Sequence, residues 1–140
     1  MKSFRRNGIQ MILLILFAAV VLPGNCAAQS VLETLLQKEM TEWRKDKWCQ
    51  DHGGKARQVL QDRTRVDCLT STHVIKFDVG ARWAEAIGES LRYGLHARKK
   101  PGLVLIVDGK DDERYWLELN ATIEYFKLPI DVWKMEKRSF

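Results

Sequence analysis

The sequence is poor in the residues and motifs that mark several common catalytic sites. It has only three histidines, and their spacing does not match that of a zinc site. It contains no glycine-rich phosphate loop, no Gly-x-Ser-x-Gly motif and no cysteine in a sequence typical of a nucleophile. It also has no internal repeat and no low-complexity segment. These absences argue against a zinc enzyme, a P-loop nucleotidase and an α/β-hydrolase.

Long apolar runs are scarce as well. The one that stands out is the twelve-residue run at 11–22, which is too short to span a membrane comfortably. Basic residues at 2–6 precede it and small residues at 26–28 follow it, an order typical of a secretory signal peptide. We therefore expect residues 1–28 to be a signal peptide and the mature chain to be exported to the periplasm. An uncleaved anchor and a lipidated Cys26 are the alternatives.

Removal of the signal peptide would change both the charge and the cysteine content. It takes away three of the 23 basic residues and none of the 18 acidic residues, so the net charge of the mature chain falls to +2. Composition alone therefore does not predict strong binding to nucleic acid. Two cysteines remain, Cys49 and Cys68. Both a disulfide and a pair of free thiols are compatible with an exported domain.

Hydrophobic periodicity predicts a single α/β domain at residues 29–140, with one mixed sheet flanked by helices in the order α-β-β-β-α-β-α-β. Ser30 and Glu33 form a capping-box pattern at the start of the first helix, which extends to about residue 51. The predicted strands cover residues 55–60, 65–70, 73–79, 103–107 and 128–133, and the later helices cover residues 81–97 and 111–126.

Each helix carries an apolar stripe that we expect to be buried. The predicted stripes are Val31, Leu35, Leu36, Met40, Trp43 and Trp48 in the first helix, Trp83, Ala84, Ile87, Leu91 and Leu95 in the second, and Tyr115, Trp116, Leu119, Ile123 and Phe126 in the third. The continuous apolar strand at 103–107 is predicted to be covered on both faces.

Residues 65–79 have the pattern of a β-hairpin with a two-residue turn at Ser71 and Thr72. One face of this hairpin would be apolar, and the other would carry facing opposite charges. The predicted register places Asp67 opposite Lys76, Val66 opposite Phe77, Cys68 opposite Ile75, and Arg65 opposite Asp78.

The segments RVDCLT, RWAEAIGESLRYGL, KKPGLVLIV and LPIDVW resemble a group of small bacterial proteins related to the restriction-endonuclease-like, PD-(D/E)xK fold. The resemblance covers most of the chain from Trp48 to Trp133. It implies a nuclease-like fold in which carboxylates on adjacent strands hold Mg²⁺, because a hard cation takes oxygen ligands. It also implies a lysine that positions and activates the attacking water.

The resemblance extends to only part of that site. Asp67 matches the metal-binding aspartate, but Lys76 replaces a glutamate, Arg82 a lysine and Glu89 a glutamine. Asp78 lies on the same face as Lys76 and could replace the missing carboxylate. The candidate catalytic residues are therefore Asp67, Lys76, Asp78, Arg82, Glu89 and Tyr93, and the candidate metal ligands are Asp67 and Asp78.

The facing charges weigh against catalysis. An ammonium group opposite Asp67 neutralises the carboxylate and repels a cation by about 1 kcal/mol per unit charge at about 4 Å even in water. We therefore expect an exported protein without catalytic activity or a cofactor, which binds a protein partner or nucleic acid and is not stably held in the membrane. One alternative is a Mg²⁺-dependent nuclease with a rearranged site, in which Asp78, Glu85 or Glu89 supplies a ligand. The other is a structural accessory of an envelope or DNA-transfer apparatus.

The signal-peptide hypothesis predicts that the mature protein begins near Gln29, directly after the small residues at 26–28. Mass spectrometry of the exported protein measures this terminus. An intact Met1 on exported protein would contradict the hypothesis, and a lipid-modified Cys26 at the terminus would favour the lipoprotein alternative.

Overall fold

The structure of the protein, a computed structural model, describes residues 26–137. The predicted signal peptide lies outside the described residues except for its last three positions. The described residues divide into two units, one up to Glu39 and one from Met40 onwards. Within the described range, none of the helices combines the length and the apolar character needed to cross a membrane.

Helix α1 extends over Cys26–Asp51. The Ser30 hydroxyl donates to the carbonyl of Ala27, so Ser30 lies inside the helix and the prediction that it is the N-cap is wrong. The predicted stripe is also mostly wrong, because the structure leaves exposed Val31, Leu35, Leu36, Met40 and Trp43. In the unit that begins at Met40, the end of the helix reaches a core through Trp48 and Cys49.

Five strands form one mixed sheet in the order β1-β2-β3-β4-β5. The antiparallel part contains β1 at Lys55–Val59, β2 at Arg65–Leu69 and β3 at His73–Val79, and the strands parallel to β3 are β4 at Lys100–Val107 and β5 at Asp131–Glu136. The connecting helices are α2 at Trp83–Ala97 and α3 at Glu113–Phe126, each after a short 3-10 turn. The described residues thus form an α/β protein with one mixed five-stranded sheet and three helices, in the predicted order. The last strand begins and ends three residues later than predicted.

The sheet is covered on both faces. Val104 and Ile106 of β4 pack with Cys49 of α1 on one side. The alternate residues of β4, from Leu103 to Val107, pack with α2 and α3 on the other side. The prediction that this strand is buried on both faces is confirmed, although the strand begins earlier than expected, at Lys100.

The buried face of α2 differs from the predicted stripe. Ala84 and Leu95 are exposed, and Leu95 is 76% exposed. The fully or nearly covered residues of this helix are Ala86, Ser90, Tyr93 and Gly94. Gly94 allows the close approach of β4, because an added Cβ would lie 3.1 Å from the ring of Pro101. In α3 the predicted stripe is wrong only at its last member, since Phe126 is exposed whereas the other four pack into the core.

The hairpin register is confirmed at Cys68, which pairs with Ile75. The ladder continues to Leu69 and Val74 but does not include the predicted partners of Asp67, Val66 and Arg65. Beyond Cys68 the strands separate. Arg57 lies opposite Asp67 in the β1–β2 register and has a left-handed φ of 52°.

A disulfide joins Cys49 of α1 to Cys68 of β2. Their Cα atoms are 5.8 Å apart, within the usual range, and both side chains are fully buried. A link across 19 positions of sequence contributes about 3 kcal/mol in the chain-entropy model. Gly54 packs directly on the link, because an added Cβ would lie 2.7 Å from each sulfur atom.

Gly54→Ala should therefore lower the free energy of unfolding of the oxidised protein by about 1–3 kcal/mol, the usual cost of overpacking a core. Gly88→Ala is the matched control, because nothing lies within 4 Å of its added Cβ in the middle of α2. That change should raise the free energy of unfolding by about 0.5–1 kcal/mol. Urea denaturation measures both values. A Gly54→Ala protein as stable as the wild type would show that the disulfide does not have this packing.

Candidate functional site

The candidate site lies between β3 and α2, around the ammonium group of Lys76. Lys76 Nζ is 2.6 Å from Glu89 Oε2, 3.8 Å from Asp78 Oδ2 and 3.9 Å from Asp67 Oδ2. The side chain of Lys76 is only 15% exposed. The structure therefore places one lysine among three carboxylates that belong to three different elements.

Local geometry explains how these side chains meet. Alternation along β3 places Val74, Lys76 and Asp78 on one face of the sheet. Val74 packs with Tyr93 of α2, so this is the face that α2 covers. Asp67 comes from β2 at the point where its ladder with β3 has ended. The separation of the two strands leaves room for its carboxylate among the others.

The Asp67 carboxylate takes the place of a backbone carbonyl as the hydrogen-bond acceptor for a backbone N–H of β3. Its Oδ2 accepts the backbone N–H of Phe77 at 2.8 Å, a bond that joins β2 to β3 after the ladder ends. Burial raises the pKa of Asp67 above its usual 3.8, and this effect exceeds the opposing effects of the Phe77 N–H and of Lys76. Burial therefore makes the ionised form of Asp67 less favourable in the folded protein than in the unfolded chain.

Lys76 and Glu89 stabilise each other's charge. Burial disfavours the ammonium form of Lys76, but the carboxylates of Glu89 and Asp67 outweigh this and raise the pKa of Lys76 above 10.5. The contact with Lys76 in turn holds the pKa of Glu89 below 4.5. Both groups are therefore charged at neutral pH.

Asp78 is buried, with an exposure of 8%. Its Oδ1 accepts the N–H of Val79 at 2.9 Å and lies 3.7 Å from Arg82 Nε. Its Oδ2 has no hydrogen-bond partner among the described residues, and Lys76 Nζ at 3.8 Å is a cation near it. Arg82 has a closer partner, Glu85, at 2.8 Å. Arg82 therefore lies at the edge of the cluster and pairs there with Glu85.

Tyr93 closes the cluster on the side of α2. The centre of its ring is 6.0 Å from Lys76 Nζ and 5.5 Å from the guanidinium of Arg92. Burial raises the pKa of the Tyr93 hydroxyl above 10.0. The tyrosine is therefore neutral at neutral pH beside the lysine.

The cluster does not fit a divalent cation in this arrangement. Among residues 26–137, no group of three or more His, Cys, Asp or Glu side chains is placed so that it could hold a metal ion. Asp67, Asp78 and Glu89 do converge, but the ammonium of Lys76 occupies the space that they share. The three carboxylates thus balance the charge of the Lys76 ammonium instead of that of a metal ion.

The sequence predicts the members of this cluster and the pairing of Lys76 with Asp67, which the structure contains at 3.9 Å. The shorter contact of Lys76, with Glu89, is not predicted. The bond from Phe77 N–H to Asp67 was missed, because no local signal marks the end of the ladder.

Comparisons of this chain with protein-family models, with curated proteins and with solved structures found no match.

Two aspartates should show opposite effects of pH on stability. The folded-state pKa of Asp67 is raised, so its stabilising contribution is present below pH 3.8 and is lost as the pH rises through the folded pKa. The pKa of Asp131 is held below 3.8 by Lys100 and His73, so its contribution is present above pH 3.8 and is lost as the pH falls.

Asp67→Asn should therefore flatten the loss of stability that the wild type shows as the pH rises above 3.8. Asp131→Asn, the control, should instead flatten the loss that occurs as the pH falls below that value. Urea denaturation of the three proteins across acidic and neutral pH measures these profiles. If Asp67→Asn has the wild-type profile, burial does not dominate at Asp67.

Proposed function

We propose that this chain is an exported, non-catalytic binding protein with a restriction-endonuclease-like fold, in which an ammonium group replaces the divalent cation of an active site. It acts in the periplasm without a cofactor, by binding a protein partner or nucleic acid. The observation that carries the proposal is the position of Lys76 Nζ, less than 4 Å from carboxylate oxygens of Asp67, Asp78 and Glu89.

The arrangement of the sheet supports the proposed fold. RVDCLT contains β2, RWAEAIGESLRYGL opens α2 and KKPGLVLIV contains β4. These separate segments are neighbours of β3 in the structure, and they surround the residues at which the resemblance predicts an active site. The element order agrees with the same expectation.

Electrostatics supports the absence of catalysis. A divalent cation about 4 Å from the ammonium of Lys76 would meet a repulsion of about 2 kcal/mol in water, and of more in a partly buried site. The cation would also have to compete with the 2.6 Å contact between Lys76 and Glu89. The raised pKa of Lys76 means that loss of its proton does not relieve this repulsion at neutral pH.

A second candidate function is a Mg²⁺-dependent nuclease with a rearranged site. The observation in its favour is the convergence of Asp67, Asp78 and Glu89, together with the unpartnered Oδ2 of the buried Asp78. This function requires Lys76 to leave the space between the carboxylates. The non-catalytic proposal requires no such movement.

Lys76→Glu should restore a cation site. It replaces the repelling ammonium with a fourth carboxylate, so the affinity for Mn²⁺ or Mg²⁺ should rise by at least about thirtyfold, the equivalent of the roughly 2 kcal/mol of repulsion removed. Calorimetric titration at neutral pH measures the dissociation constants. Equal or weaker binding by the variant would contradict the geometry of the cluster.

Two controls separate this effect from a general change of charge. Lys76→Met removes the ammonium without adding a ligand and should give an intermediate affinity. Lys134→Glu makes the same charge change beside Glu113, with which Lys134 pairs at 2.7 Å, and should not change the affinity beyond about twofold. Metal-dependent cleavage of nucleic acid by the wild type, lost in Asp67→Asn, would replace the proposal with the nuclease.

A further inference from the structure

Two stretches of chain that are distant in sequence meet at the end of α2. One is the turn between β1 and β2, and the other is the last turn of α2 with the residues that follow it. An ion pair between Asp62 and His96 joins them. A pocket of about 550 Å³ lies between them, with Leu60 on one side and Leu95 and Arg98 on the other.

This junction is rich in positive charge that the described part of the chain does not neutralise. Arg63, Arg92 and Arg98 have no carboxylate within 4 Å among residues 26–137. The acidic residue at the junction, Asp62, is already occupied. It accepts the backbone N–H and the hydroxyl of Thr64, each at 3.0 Å, as well as pairing with His96.

An apolar side chain stands among these cations. Arg92, Leu95 and His96 share one face of α2, because residues three and four apart are neighbours on a helix. Leu95 is 76% exposed on that face. Tyr93 is buried on the other side of the helix, with an exposure of 5%. The surface therefore offers a projecting aliphatic group and several arginines, but no exposed aromatic ring from this turn of α2.

We propose that this basic patch, consisting of Arg63, Arg92, Leu95 and Arg98, binds reversibly to the surface of a membrane that contains anionic phospholipid. Arginine near such a surface is attracted to the lipid phosphates, and an aliphatic side chain gains free energy when it enters the boundary between headgroups and acyl chains. The periplasmic location that the signal peptide predicts would place the patch beside a membrane.

Nucleic acid is the less suitable partner for this patch. Its phosphates would attract the same arginines, but a single strand also binds by stacking its bases on exposed aromatic rings, which Tyr93 cannot supply. A phosphate backbone gives Leu95 no apolar environment. The membrane proposal uses both the charge of the patch and its exposed leucine. It goes beyond the proposed function and does not depend on the state of the Lys76 cluster.

Flotation of the mature protein with phospholipid vesicles tests the proposal. The protein should bind vesicles of phosphatidylcholine with about 30 mol % phosphatidylglycerol and should not bind phosphatidylcholine alone. The triple change Arg63→Gln, Arg92→Gln and Arg98→Gln should lower the bound-to-free ratio by about a hundredfold, or about fivefold for each cation removed. Leu95→Ser should lower it by about tenfold without a change of charge.

A matched triple change controls for net charge. Lys38→Gln, Lys110→Gln and Lys127→Gln remove three positive charges elsewhere on the chain and should change the ratio by less than about twofold. Thermal melts confirm that each variant is folded. The same loss of binding in both triple variants would overturn the assignment of the patch, as would equal binding to neutral vesicles.

A second arm distinguishes the membrane from nucleic acid. Binding of the wild type to a DNA oligonucleotide, with no binding to the anionic vesicles, would overturn the membrane proposal in favour of nucleic acid. The effect of Lys76→Glu on Mn²⁺ affinity should be the same when only Arg63→Gln and Arg98→Gln are added, because neither arginine contacts a carboxylate of the Lys76 cluster. The outcome at the patch can therefore be told apart from a failure of the proposed function.

Discussion

A charged lysine largely withdrawn from water decides how β2, β3 and α2 fit together. Lys76 belongs to β3, which lies between β2 and β4 in the sheet, so its backbone is fixed on both sides. An ammonium that is withdrawn from water costs several kcal/mol unless carboxylates compensate for it. Glu89 reaches it from α2 and Asp67 from β2, the latter only because the hairpin ladder ends early. The irregular hairpin and the position of the helix thus satisfy a single electrostatic requirement.

The same requirement connects the cluster to function. Three carboxylates with no cation among them would repel one another, and either a metal ion or an ammonium can relieve that repulsion. A lysine supplies the positive charge permanently and without dependence on metal supply. It supplies no open coordination position, however, and it cannot activate a water molecule as a metal ion does. Lys76 among the carboxylates therefore fills the position that a metal ion would need in this arrangement.

Local patterns in the sequence predict the features that are set by residues close together in the chain. The element order follows from periodicity, the bounds of β3 from alternation, and the Cys68–Ile75 pair from a two-residue turn. Properties set by distant parts of the chain were not predictable. The stripe of α1 looked buried because its period is helical, but period does not show whether another element covers it. Lys76 lies closer to Glu89 than to Asp67 because of the way α2 packs on the sheet, which the sequence does not show. The disulfide depends on a Cα separation that only the folded chain defines.

The link between Cys49 and Cys68 has a consequence for the exposed margin of the sheet. Strand β1 pairs only with β2, and it lies wholly inside the covalent ring that this link closes. Edge strands open readily, and a straight open edge can recruit a strand from another molecule. Here the ring limits how far β1 can travel when its hydrogen bonds break, and the left-handed Arg57 interrupts its straight course. The ring and the left-handed Arg57 thus make β1 a poorer template for association than a straight open edge would be.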